Sequence, residues 1–107
     1  MARRMPPRLV RGDAVAWLPD LVRDVPRDAA LCVVHTHTLN QMTEDSRAAL
    51  TTLLHRVASD RVLYRVSVEW LATTHPVLEL TSWPPTGVVT RRLAFCDPHG
   101  EWIEWLV

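Results

Sequence analysis

The chain has 107 residues, enough for one domain with a modest hydrophobic core. Its 12 basic residues, all arginine, balance 12 acidic residues, and this neutral charge argues against a non-specific nucleic-acid binder. Without lysine, the chain cannot form a lysine Schiff base. No apolar run reaches membrane-spanning length, and the basic N-terminus lacks the apolar segment of a signal peptide. We therefore expect a cytoplasmic protein without membrane or nucleic-acid partners.

The chain is expected to begin with a flexible arm at residues 1–8, followed by one α/β domain at residues 9–107. Leu9-Val10 is interpreted as the stub of a short strand. Asp13 then caps a first helix, since a carboxylate accepts from the free amides of a first helical turn. Pro19 predicts either a kink or a shorter helix that has Pro19 in its first turn. Pro26 ends this helix.

A strand, a helix and a second strand follow. The first strand is the apolar run Leu31–Val34, which ends in His35-Thr36-His37. The helix is predicted over Thr43–Ser59 and is capped by Thr43. The second strand is predicted over Val62–Glu69, where side chains alternate with a period of two. This order is typical of a βαβ unit, in which both strands are parallel. The predicted class is α/β, with helices on a truncated Rossmann-like sheet.

Three further strands are predicted over Val77–Trp83, Val88–Cys96 and Trp102–Leu106. Pro84–Gly87 forms one connecting turn, and Asp97-Pro98-His99-Gly100 has the residue order that a type I turn prefers. Such short strands favour an antiparallel meander that continues the parallel pair. The alternative inserts the last strand beside Val62–Glu69.

Two cysteines, Cys32 and Cys96, each fall within an apolar strand-like run. No CxxC motif or disulfide framework accompanies them. The pattern therefore indicates buried, reduced side chains rather than nucleophiles.

A small-molecule site is predicted at the carboxyl ends of the parallel strands, where helix N-termini also converge. Its candidate ligand-binding residues are Asp13, His35, His37, Asn40 and Glu69. His35 and His37 lie two apart on a strand, so they would share one face, and a zinc ion could use Asp97, His99 or Glu69 as a further ligand. No third ligand has a diagnostic spacing. We therefore expect no metal and assign no catalytic residue.

Several motifs together resemble the C-terminal half of a bacterial domain-of-unknown-function family, whose full-length members are similar in fold to class I S-adenosylmethionine-dependent methyltransferases. These motifs are Gly12-Asp13-Ala14, His35-Thr36-His37, Asn40-Gln41, Glu69, Asp97-Pro98-His99-Gly100-Glu101-Trp102 and Glu104-Trp105. The resemblance implies that Leu9-Val10, the Leu31 strand and the Val62 strand correspond to the third, fourth and fifth methyltransferase strands. It also implies that Asp13 lies near the cofactor's adenine.

The sequence departs from methyltransferases in lacking the Gly-rich loop and the ribose-binding acid that hold the cofactor. We therefore expect a non-catalytic binding or assembly module without a cofactor. The alternative is a methyltransferase or metal-dependent enzyme that uses the His35/His37 strand end, with the missing half supplied by a partner. A sheet truncated in this way has an unpaired edge and uncovered apolar faces, which predicts a homo-oligomer, most simply a two-fold dimer.

Overall fold

The computed structural model describes residues 6–83 and 87–107, which form two helices and five strands. The helices are α1 (Ala14–Arg23) and α2 (Glu44–Asp60), with a short 3₁₀ helix at Leu39–Gln41. The strands are β1 (Leu31–Thr36), β2 (Leu63–Glu69), β3 (Val77–Ser82), β4 (Val89–Cys96) and β5 (Ile103–Trp105). Most of the predicted turn at Pro84–Gly87 and the first part of the predicted arm lie outside the described residues.

The strands form one mixed sheet in the order β1-β2-β3-β4-β5. β1 and β2 are parallel, and each later strand is antiparallel to the strand before it. The predicted parallel pair and meander are therefore confirmed. The alternative position of the last strand is wrong, because β2 lies between β1 and β3 and has no free edge.

The start of the domain differs from the expectation. Leu9 and Val10 form no strand, and the Leu9 side chain is almost fully exposed. Asp13 does cap α1, since its Oδ1 accepts from the Val15 amide at 2.8 Å. Pro19 lies inside α1 rather than in its first turn, so the shorter helix is wrong. An N-cap contributes about 1 kcal/mol and an interior proline costs about 3 kcal/mol, so the packing of Val15, Leu18 and Val22 against the core offsets most of the cost of Pro19.

Both helices cover the same face of the sheet. The buried core consists of Leu31 and Leu63 from the parallel strands and Leu50 and Leu54 from α2, and apolar side chains of α1 pack around them. Thr43 caps α2 as predicted, because its hydroxyl accepts from the Ser46 amide at 3.1 Å. Within the described ranges, no helix has the length and apolar character needed to cross a membrane.

The opposite face of the sheet has no helix over it among the described residues. We call it the open face; strand alternation and register assign to it Cys32, Val34, Thr36, Tyr64, Val66, Val68, Leu78, Leu80 and Ser82. Val34 is 65% exposed and Tyr64 is 41% exposed. In contrast, the polar residues Ser67 and Glu69 are buried on the helix-covered side. The more apolar side of these strands is thus the side that faces outward.

Cys32 lies on the open face, so the prediction that it is buried is wrong. Its side chain is exposed, whereas Cys96 is partly buried and both thiols are free. The prediction assumed that a parallel strand is covered on both sides. In the part of the chain that the structure describes, the helices cover β1 on one side only. Burial raises the pKa of the Cys96 thiol, which lowers the fraction of reactive thiolate at neutral pH.

The guanidinium of Arg61 connects the end of α1 to the start of β2. Its Nη1 donates to the carbonyls of Val22 and Val25 at 3.2 and 3.0 Å. Its Nη2 donates to the carbonyls of Pro26 and Ala29 at 2.7 and 3.0 Å. One side chain therefore holds the segment through which the chain leaves α1 and enters β1.

The predicted turn at Asp97 is confirmed. The Gly100 amide donates to the Asp97 carbonyl at 3.1 Å, which closes the turn. The Asp97 carboxylate accepts from the backbone amides of His99 and Glu101 at 2.9 and 3.2 Å. These bonds, the one from Glu101 first, lower the pKa of Asp97 below its ordinary value.

A pH-dependent contribution to stability follows from this lowered pKa. An acid whose pKa is lower in the folded state stabilises the fold above its unfolded pKa, near 3.9, and loses that contribution as pH falls through its folded pKa. We expect Asp97→Ala to lower the urea midpoint slightly at pH 7 and to have a smaller effect at a pH below the folded pKa of Asp97, where the carboxyl group is protonated. Urea titrations at both pH values test this. An equal loss at both would assign the effect to something other than the carboxylate charge.

Candidate functional site

The candidate site begins where β1 ends. His37 has a φ of 49°, in the left-handed region that residues other than glycine rarely adopt. Its amide still donates to the Val68 carbonyl at 2.8 Å, so the contact with β2 continues to this residue. The backbone then turns into the 3₁₀ helix Leu39–Gln41. This turn directs the next two amides back toward the end of β2.

Glu69, the last residue of β2, accepts both of these amides. The Thr38 amide lies 3.0 and 3.1 Å from the two carboxylate oxygens, and the Leu39 amide lies 3.0 Å from Oε1. Glu69 is only 8% exposed. A buried carboxylate is tolerated when it is fully hydrogen-bonded, and backbone amides at the start of a helical turn suit an anion.

His35 supplies a third partner to this carboxylate. Its Nδ1 lies 2.6 Å from Glu69 Oε2, and the side chains of His35 and Glu69 are 10% and 8% exposed. With Nδ1 as the donor, the second ring nitrogen, Nε2, is the acceptor of a neutral imidazole. Nε2 is buried and has no hydrogen-bond partner among the described residues. The carboxylate thus orients the ring, and the free nitrogen does not reach solvent.

Two side chains, those of Gln41 and Arg47, also hold the loop between β1 and α2 by donating to its carbonyl groups. The Gln41 side-chain amide donates to the His37 carbonyl at 2.8 Å. Arg47 Nε, from the first turn of α2, donates to the Leu39 carbonyl at 2.6 Å. The arrangement therefore fixes a loop rather than holding groups free for a ligand.

The structure places the predicted ligand-binding residues in different surroundings. His35 and Glu69 come together, but they bind each other. Asp13 is exposed and serves as the cap of α1, and Asn40 is exposed on the 3₁₀ helix. His37 is partly exposed and lies beyond the end of β1, so the strand alternation that was to place it on the face of His35 stops before it.

The geometry of the described residues provides no set of ligands for a metal ion. Among residues 6–83 and 87–107, no three or more histidine, cysteine, aspartate or glutamate side chains form a group that could hold a metal ion. His37, with its positive φ, lies beyond the last residue of β1 and does not continue the alternation on which the predicted pair of imidazoles depends.

Concave surfaces occur at both edges of the sheet. At the edge where β2 begins, a cavity of about 440 Å³ lies between the ends of α1 and α2, and one of about 600 Å³ lies beside Trp83. At the carboxyl edge of β2, cavities of about 490 and 190 Å³ lie beside the loop 72–75. Of the predicted residues only Glu69 lines any of these, the smallest one. The location of a ligand site at the carboxyl edge stays a prediction.

Residue types did not indicate three of the groups at this site. Two are the backbone amides of Thr38 and Leu39, which donate to Glu69 and with His35 form what we call the Glu69 cluster. The third is the side chain of Arg47, which donates to the Leu39 carbonyl. The strand register held a usable signal, because Thr36 is paired with Val68 and Glu69 therefore meets the chain just after β1 ends. Backbone amides carry no sequence signature, so the three-donor arrangement could not be read from residue types alone.

Comparison with known proteins places the chain in a family. Residues 1–105 match the family described as "Uncharacterized protein conserved in bacteria (DUF2332)". The match spans nearly the whole sequence, so the chain belongs to this bacterial family. No curated protein and no solved structure matches the chain.

Proposed function

We propose that this member of the DUF2332 family is a non-catalytic binding or assembly module with a methyltransferase-like sheet, and that it works through its open face. The observation that carries the proposal is that polar side chains are buried on the helix-covered face of the sheet while apolar side chains are exposed on the open face. Ser67 and Glu69 are buried under the helices, while Val34 and Tyr64 are exposed on the other side. Val66, Val68, Leu78 and Leu80 beside them are partly buried. Neighbouring apolar side chains left open to solvent are typical of a protein-interaction site.

The geometry of the carboxyl edge supports the non-catalytic reading. Both oxygens of the Glu69 carboxylate already accept hydrogen bonds from this chain's own groups. The imidazole beside it is buried. A general acid or base must come within hydrogen-bond distance of the group that it serves, and neither side chain is accessible to a substrate.

The residues present do not fit S-adenosylmethionine. Asp13, the residue implied to lie near adenine, uses its carboxylate to cap α1. The chain has only 3 glycines, Gly12, Gly87 and Gly100, and they are too far apart in sequence to form a Gly-rich phosphate- or cofactor-binding loop. No reaction step is therefore assigned to this cofactor.

One observation favours the alternative function, an enzyme completed by a partner chain. Nδ1 of His35 lies 2.6 Å from Glu69 Oε2, and Nε2 has no hydrogen-bond partner among the described residues. Carboxylate-oriented histidines of this kind serve as bases or metal ligands in other proteins. Because Nε2 is buried, the structure around it would have to open before His35 could act.

A binding experiment separates the two functions. We expect the isolated chain to give no heat on titration with S-adenosylmethionine or S-adenosylhomocysteine and no thermal shift with divalent metals. Micromolar binding that is lost in Asp13→Ala would contradict the proposal and favour the enzyme. Asp20→Ala, which removes an exposed carboxylate of α1 outside the cap, is the matched control.

A further inference from the structure

We infer that the cavity between α1 and α2 binds a small carboxylate with an apolar chain or ring. The apolar part of the ligand lies against the floor of the cavity, and its carboxylate lies among the arginine side chains around the opening. The cavity is on the helix-covered side of the sheet, between the ends of the two helices. It is separate from the open face, so the inference goes beyond the proposed function and does not depend on it.

The floor of the cavity is apolar. It consists of partly buried side chains from both helices, Pro19 and Val22 of α1 and Leu53 and Val57 of α2. The cavity has a volume of about 440 Å³, within the range of roughly 300–1,000 Å³ that is typical of small-molecule sites. A ligand therefore gains free energy by burying an apolar group there.

The opening of the cavity is basic. Four of the 12 arginines of this neutral chain line the cavity, against a single acidic residue, Asp60. The four are Arg23, Arg27, Arg56 and Arg61. Three of them and Asp60 are exposed, whereas the apolar lining residues are partly buried, so the charges surround the opening rather than the floor. An excess of positive charge around a concave surface attracts an anion.

A carboxylate of the chain itself shows which group these arginines bind. Arg27 Nη2 donates to Asp60 Oδ1 at 3.0 Å, and Arg27 Nη1 donates to Asp60 Oδ2. The hydrogen bonds from Arg27, with the charges of Arg27 and Arg61, lower the pKa of Asp60 below its ordinary value. A planar guanidinium favours a carboxylate in this way because two donors match two oxygens.

The other arginines leave positive charge available at the opening. Arg61 donates to backbone carbonyls, which are neutral. Neither Arg56 nor Arg61 forms an ion pair with a carboxylate in the part of the chain that the structure describes. A ligand carboxylate can therefore pair with Arg56 while Arg27 stays bound to Asp60.

Octanoate, octanamide and acetate test the two parts of the ligand separately. Octanoate has both the chain and the charge, octanamide has the chain alone, and acetate has the charge alone. We expect isothermal titration calorimetry to show octanoate binding at least on the order of tenfold tighter than either of the others. In ¹H–¹⁵N NMR, the largest amide shifts on adding octanoate should lie at Val22 and Leu53, not at Val34 of the open face.

Two variants test the same parts in the chain. Arg56 is exposed, and Leu53 lies outside the buried core and the side chains packed against it, so neither change should alter the fold. Arg56→Gln should weaken octanoate binding about fivefold and leave octanamide binding unchanged, because it removes one charge near the surface. Leu53→Gln should weaken the binding of both compounds about threefold, because it makes the floor more polar.

Arg91→Gln is the matched control. Arg91 is an exposed arginine of β4 and lines none of the four cavities described above. Its loss changes the overall charge by the same amount as Arg56→Gln. This variant should bind octanoate as tightly as the wild-type chain.

Three results would overturn the inference. Equal binding of octanoate and octanamide, or equal weakening by Arg56→Gln and Arg91→Gln, would mean that the charge at the opening does not select the ligand. Largest shifts on the open face would place binding elsewhere. No octanoate binding at all would leave the arginines the role of complementing the C-terminal ends of the helices. None of these results bears on the proposed function, which concerns the open face and is tested with S-adenosylmethionine.

Discussion

Replacing Glu69 with alanine is expected to destabilise the domain by about 4 kcal/mol, a large share of a typical stability. The substitution leaves the amides of Thr38 and Leu39 and the Nδ1 of His35 without their acceptor. Each buried donor left unpaired costs roughly 1–3 kcal/mol, and water entering the new space recovers part of this. Urea unfolding followed by circular dichroism measures the change.

Glu69→Gln should cost less than half as much. Its side-chain oxygen can accept from both backbone amides, and its NH₂ can donate to His35 if the imidazole moves its proton from Nδ1 to Nε2. The change of tautomer is visible in ¹⁵N NMR of the imidazole. This variant therefore separates the hydrogen-bonding role of Glu69 from its charge.

Glu79→Ala is the matched control for these variants. Glu79 lies on β3, is partly exposed and contacts Arg92 at 3.7 Å, a distance typical of a weak surface ion pair. Its loss should cost well under 1 kcal/mol. If Glu69→Ala lowered the free energy of unfolding as little as Glu79→Ala, the hydrogen bonds of the Glu69 cluster would not be what holds the loop 37–41.

Much of the architecture could be predicted from local chemistry. Thr43 followed by Glu44 and Asp45 identified the start of α2, because a hydroxyl cap and early acids satisfy free amides and the helix dipole. The apolar run at Leu31 and the alternation after Val62 identified the two parallel strands. The turn at Asp97 was equally clear, since Asp, Pro and Gly each occupy a position that suits them. For the start of α2 and for the turn, the deciding contacts lie within a few residues.

The errors arose where a distant part of the fold decides the outcome. Cys32 was predicted to be buried because a parallel strand usually has helices on both sides, but both helices of this chain pack on the side of Leu31. Pattern alone showed that the two sides of β2 differ, yet not which side the helices cover. The role of Glu69 likewise depends on the backbone of a loop about thirty residues earlier, which residue types do not encode.

Replacing Arg61 with alanine is expected to destabilise the domain by about 3 kcal/mol. Its guanidinium donates to four carbonyls between Val22 and Ala29, and hydrogen bonds from charged groups are among the stronger ones in proteins. Its Nε is buried without a partner among the described residues, which offsets part of the gain. For a domain of this size the change corresponds to a fall in melting temperature of roughly 15 °C.

Arg61→Lys should restore little of this loss, because one ammonium cannot reach carbonyls that a planar fork reaches from two nitrogens. Arg56→Ala, on the exposed surface of the same end of α2, should leave the melting temperature nearly unchanged. Hydrogen exchange should show faster opening of the residues between α1 and β1 in Arg61→Ala, while the amides of β2 and β3 exchange through global unfolding. A uniform increase across the whole chain, or full rescue by lysine, would mean that Arg61 contributes charge rather than a connection between α1 and the sheet.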